Sequence, residues 1–230
     1  MRELAEQREA RFFFFTAIAF ATIVVAGFVM FIITGRSTFS APWWVHLHAV
    51  TYMAWLGLYL SQTYFIYADK RANHRVMGKI GAGLAIWMIV SGAVFLPYTV
   101  MVGRTPPFFT PAFFLALDAL NILVFGLLIT LGLFMRHKTH WHRRLMFAAT
   151  LSIGTPGVGR IALVLEIEAA IVVSAVMLGF LLGGMVFDGI NKKRFYPAYL
   201  VGLIPIMAMG PLTEVLAKTA FMGEVVSWLQ

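Results

Sequence analysis

A chain of 230 residues that is 60% hydrophobic and 12% charged, with a mean hydropathy of +0.84, has too little polar surface to coat a soluble globule and needs lipid around it. It contains no cysteine, which excludes disulfides, thiolate metal sites and cysteine nucleophiles. The net charge of +8 would suit nucleic acid in a soluble protein, but here the basic residues sit in short connections between apolar runs. Membrane orientation explains them, and no nucleic-acid partner is expected.

The first eleven residues mix acids and bases before an apolar run from Phe12 to Thr34. At about two dozen residues, without a small-residue cleavage pattern, this run reads as a retained span rather than a signal-peptide core. Further apolar runs bounded by charge, Pro and Gly give spans near 12-34, 43-67, 76-99, 111-135, 144-163, 167-187 and 197-217. Trp43 and Trp44 open the second where interfacial aromatics belong. The least defined division follows the fifth, where Gly154, Pro156, Gly157, Gly159 and Arg160 interrupt the run and Glu166 and Glu168 follow. The expected fold is all-α: one polytopic transmembrane helical bundle over residues 1-230, with seven spans, or six if the break near 156-166 is a kink.

The basic residues are distributed one-sidedly. Segments 1-11, 69-79, 136-144 and 188-194 hold 3, 4, 4 and 3 Lys or Arg, which is 14. The opposite side has Arg36, Arg104, Arg160 and Lys218. This asymmetry predicts a cytoplasmic N-terminus in a bacterial inner membrane. A faint internal repeat accompanies it: Asn73-His74-Arg75-Val76-Met77 opens the third span and His142-Arg143-Arg144-Leu145-Met146 the fifth. Spans two-three and four-five are therefore expected to form two hairpins related by an axis along the membrane normal.

If those hairpins pack side by side, His74, His137, His140 and His142 share one depth. His74 opposite His142 or His140 is a geometry for the axial ligands of one haem, with Arg75, Arg143 or Arg144 for its propionates. The structural alternative is a set of juxtamembrane basic turns that anchor helices and meet anionic lipid. No metal other than a haem iron is expected. On the outer side, His46 and His48 lie about 200° apart on their helix, so only one can point inward. Asp118 and Asn121, with Arg160, Glu166 and Glu168, complete an outer polar group in which an intramembrane Asp118 must face other helices, with His48 and Arg160 as partners. That group reads three ways: a self-satisfying structural cluster, a proton-linked or ligand-binding cavity, or a His-carboxylate metal site, against which the His-x-His spacing argues. Tyr52, Gln62, Thr63, Thr150, Ser152 and Thr155 are expected to bond a neighbouring helix or their own backbone. No nucleophile-base arrangement, phosphate-binding Gly loop or covalent haem-attachment motif is present, and enzymatic activity is left open.

From His46 to Arg160 the sequence resembles a bacterial family of small polytopic membrane proteins classed only as a domain of unknown function. The resemblance rests on His48 (or His46), Gln62, the run His74-Arg75-Val76-Met77-Gly78, the run His142 to Met146, and Arg160, with Leu145 where the family carries an aromatic residue and an unusual Pro156-Gly157 break. It covers about half of the chain, implies a His-bearing helical bundle similar in outline to b-type transmembrane cytochromes, and brings no activity with it. The resulting expectation is a b-type haem-binding redox component. The alternatives are an accessory or assembly subunit of a larger membrane complex, and a small transporter or sensor using the outer polar cavity.

Overall fold

The computed structural model describes the backbone of residues 2–230 and the side chains of residues 4–230, so the Arg2 side chain counted above lies outside the described residues. Among the described residues every regular element is helical. The helices are α1 (Arg2–Ile33), α2 (Trp43–Tyr67), α3 (Arg71–Met101), α4 (Pro111–Phe134), α5 (Thr139–Ile153), α6 (Thr155–Val164), α7 (Ala169–Lys192), α8 (Ala198–Ala217) and α9 (Ala220–Leu229).

Their limits follow local chemistry. Thr110 caps α4 by accepting a hydrogen bond from the Phe113 backbone N–H (3.2 Å), with Pro111 in the first turn where its missing N–H costs nothing. Thr219 caps α9 in the same way through Met222 (3.3 Å). Asp69, Glu166 and Lys193 take left-handed backbone conformations at the turns that follow α2, α6 and α7. Inside the helices, Thr63, Thr150, Ser152 and Thr155 donate to carbonyls three or four residues back. An apolar environment leaves a hydroxyl proton few other acceptors, and Thr150 and Thr155 also accept from Trp55 and Asn121 on neighbouring helices.

Helices α1, α3, α4, α7 and α8 are long and apolar enough to cross a membrane, and the pair α5–α6, bent by 41°, makes a sixth if it is one broken span. Gly154 lies at the bend, and Pro156 starts α6 beyond it. The bend therefore falls inside the fifth predicted run, and the chain reverses later, at residues 165–168, before α7 returns along the bundle. Helix α2 has a span's length of 25 residues but is less uniformly apolar, carrying His46, His48 and four tyrosines.

At the centre stands α5. Leu145, Phe147, Ala148, Ala149, Thr150, Leu151 and Ser152 are all at most 1% exposed, so beyond its exposed first turn this helix is enclosed. It is wrapped by α2, α4, α6, α7 and α8, while α1 closes the bundle against α2 and α6. Large apolar residues point outward all round the bundle, among them Val29, Ile86, Val90, Leu123, Ile171, Val186 and Ile204. An exterior of this kind is stable only in lipid, and the chain is a membrane protein built from transmembrane helices.

Candidate functional site

The bundle gathers polar side chains at both ends. At the basic end, the start of α3 meets the start of α5: the His74 and His142 rings lie 6.4 Å apart, centre to centre, with their planes at 84°. Each histidine folds back on the last turns of the helix before it. The His142 Nδ1 lies 2.8 Å from the Gly132 carbonyl of α4, so it serves as the donor and Nε2 is left free. His74 lies beside Gln62 of α2, whose side-chain oxygen approaches Gly78 one turn further along α3. The His74 Nδ1 and the Gln62 Nε2 are both buried without a hydrogen-bond partner. This is the pairing expected from the repeat.

The other predicted members do not join it. His140 is exposed and lies 5.5 Å from the Tyr196 ring, because residues two apart on α5 point to opposite sides. His137 lies exposed in the short 3-10 turn between α4 and α5. Arg75 is exposed. Arg143, expected to be free for a propionate, is engaged by Glu9 in an ion pair of 2.9 Å.

That ion pair belongs to a buried network beside the histidines. Arg144 is 0% exposed and reaches Asp188 Oδ2 through Nε (2.9 Å) and NH2 (2.6 Å), Glu9 Oε1 through NH2 (2.8 Å), and the His140 carbonyl through NH1 (2.8 Å). Its guanidinium lies 3.8 Å from the centre of the Tyr196 ring. The Tyr199 hydroxyl donates to Asp188 Oδ2 at 2.9 Å, and Lys192 completes the group on Glu9. Gly184, one turn before Asp188, is what admits Tyr199, since a Cβ there would lie 2.6 Å from its hydroxyl. Glu9 and Asp188 were not singled out from the sequence, yet a signal was present. Glu9 continues the buried stripe Phe13, Ala17, Phe20 and Val24 of α1, and Asp188 continues Met177, Leu181 and Gly184 of α7. An acid in register with a buried apolar stripe calls for a buried cation.

The outer end collects the second predicted group. His48 stacks on Phe95 (3.9 Å, 18°) and lies 4.5 Å from Tyr52, while His46 turns to the Phe39 carbonyl (3.2 Å). Of the two, His48 lies among aromatic rings of α2 and α3, and His46 faces the turn before α2. Asn121 donates to Thr155 at 3.0 Å and keeps a buried, unpartnered Oδ1. Arg160 packs over Phe28 (4.3 Å) and donates to the Pro156 carbonyl (2.9 Å). Asp118 and Arg160 act on each other electrostatically, but no ion pair joins them among the described residues. Glu166 and Glu168 are exposed in the turn before α7 and do not enter this group.

Among the described residues no set of three or more His, Asp or Glu side chains stands close enough to hold a metal ion. The His74–His142 pair supplies two nitrogen donors and would need the remaining ligands from the bound group itself. Compared with protein-family models, with curated proteins and with solved structures, the chain matches none.

Proposed function

We propose that this protein is a seven-span inner-membrane redox component, with its N-terminus on the cytoplasmic side, that holds one b-type haem between His74 and His142. The observation that carries the proposal is the distance between the two rings. An iron held by both imidazoles, each through a nitrogen about 2 Å from it, would set the ring centres about 6 Å apart. The 6.4 Å separation agrees with that, and perpendicular ring planes are compatible with it. Two histidines and the four pyrrole nitrogens make six ligands, so the absence of a third protein donor in the pair is no obstacle.

The donor set fits such a group in two further respects. A metal-binding histidine ordinarily gives its second ring N–H to a carbonyl, and His142 does so to Gly132. The buried, unpartnered His74 Nδ1 is a nitrogen whose partner has still to arrive. The haem would supply reversible one-electron chemistry at its iron. The chain's own part is to orient His142 through Gly132, to keep water from the pair by burial among α2 to α5, and to offer Arg75 to the propionates. Arg143 and Arg144 are committed to Glu9 and Asp188, and they serve in holding α5 in place. The seventh span in this reading is α2, and the 14 basic residues in the connections at the histidine end support its cytoplasmic placement.

The test is an optical spectrum of the purified protein, oxidised and dithionite-reduced, with iron quantified. A sharp reduced-state band with one iron per chain is expected, lost in His74→Ala and in His142→Ala and kept in His140→Ala. A colourless, iron-free protein purified from haem-replete cells would sink the proposal.

A second reading is favoured by Asp118, which Arg160 influences electrostatically but which forms no ion pair among the described residues. An intramembrane carboxylate in that position would serve a proton or small-ligand cavity, with Arg160 and Tyr52 acting on it electrostatically and His48 stacked beside Tyr52. Asp118→Asn should then abolish proton or ligand coupling while the bundle still assembles, and retained coupling would count against this reading.

A further inference from the structure

At the basic end, α1 and α7 touch through a few side chains and then leave a lateral crevice of about 500 Å³ between them. Its floor is aromatic: Phe12 stacks on Phe187 at 4.1 Å, and Phe180 continues the wall toward the middle of the bundle. Its rim is basic and polar, formed by Arg8 and Arg11 on α1 and Asn191 on α7. Residues eight and eleven fall on one side of a helix, so both guanidinium groups stand over the same opening. Arg11 lies 5.7 Å from the Phe15 ring, and Arg8 and Arg11 are both exposed and take no part in the ion pairs that engage Arg143, Arg144 and Lys192.

The geometry points to a binding site for one anionic phospholipid, its acyl chain along Phe12, Phe187 and Phe180 and its phosphate on Arg8 and Arg11. Three features favour this occupant over others. The groove is open along its side rather than enclosed, which suits an acyl chain lying along two helices and not a compact ligand buried on all sides. The crevice opens sideways into the hydrocarbon, which only an amphiphile can enter from within the bilayer. Cationic groups sit at one end of an apolar slot, at the depth where headgroups lie, and a basic pocket between helices on the cytoplasmic side recognises an anionic headgroup. A zwitterionic lipid would fill the slot with a headgroup of zero net charge, whose own ammonium offsets the phosphate and leaves the two guanidinium groups without a net counter-charge. The site rests on the bundle being in a membrane and is independent of any haem.

The experiment uses the full chain in mild detergent, titrated with phosphatidylglycerol or phosphatidylcholine of the same acyl composition. Bound lipid is counted by native mass spectrometry, and thermal stability is followed in parallel. One phosphatidylglycerol should be retained per chain, with about a 30-fold preference over phosphatidylcholine from two arginines, and it should raise the melting temperature. Arg8→Gln with Arg11→Gln should remove the preference, whereas Arg71→Gln with Lys79→Gln, at the same end but away from the crevice, should keep it. Thr16→Trp fills the slot with both arginines intact and should expel the lipid; it serves as the test if the arginine variant does not fold. The proposal is overturned if the two double variants reduce binding equally, if glycerol phosphate alone gives the same stabilisation, or if Thr16→Trp leaves the bound lipid in place.

Discussion

Arg144 decides much of the basic end. A guanidinium at 0% exposure is tolerable only because Asp188, Glu9 and a carbonyl surround it, and removing one counter-charge leaves the others buried with an unmatched cation. Asp188→Ala is therefore expected to destabilise the folded bundle by about 3–5 kcal/mol. Tyr199→Phe, which removes one hydrogen bond to the same carboxylate, should cost about 1 kcal/mol. Unfolding of the purified variants in detergent checks the order, and a Tyr199→Phe effect as large as that of Asp188→Ala would show that the ion pair is not what matters. The cation itself was visible in the sequence among the basic turns. Its partners were not identified because Glu9 and Asp188 lie 135 and 44 residues away from it.

Among the elements, α5 is the one that every proposed role depends on. The opening motif of α5 was legible in the sequence as a repeat of the one that opens α3, since each follows a basic turn at the end of an apolar run. The sequence did not show that α5 is enclosed on all sides, because an apolar stretch looks alike whether lipid or protein surrounds it. The packing of α1 on α6 was equally hidden. Gly157 was readable as a helix break, but its tertiary role is contact: a Cβ there would lie 2.9 Å from the Val24 Cα, and one on Gly27 would lie 1.9 Å from the Gly157 carbonyl oxygen. Backbone cannot move aside as a flexible side chain does, so Gly27→Ala and Gly157→Ala should each destabilise by at least about 1–3 kcal/mol. Gly83→Ala, where nothing lies within 4 Å, should be neutral or slightly stabilising. A neutral Gly27→Ala in the same unfolding assay would mean that α1 and α6 stand further apart than described.

For the molecule as a whole, the test is sidedness. The natural chain has no cysteine, so single cysteines report without background. In intact cells a membrane-impermeant maleimide should label Ser37→Cys and Thr105→Cys and spare Ala72→Cys and Lys193→Cys. The reverse pattern would place the basic end outside and overturn the cytoplasmic assignment of the His74–His142 pair. Equal labelling of Ser37→Cys and Ala72→Cys would mean that α2 does not cross, reducing the span count by one.

The helical class, the membrane environment, the approximate runs and the basic asymmetry were all determined by the sequence alone, because each depends on the transfer energy of a local stretch or on charge counted along it. Only the tertiary structure decided that His74 meets His142 while His140 turns away, that Arg143 and Arg144 belong to Glu9 and Asp188, and that Asp118 and Arg160 form no ion pair among the described residues. Those outcomes depend on the rotation of each helix about its axis and on which neighbour it packs against. Hydropathy constrains neither of these, and both are set by complementary surfaces brought together from distant parts of the chain.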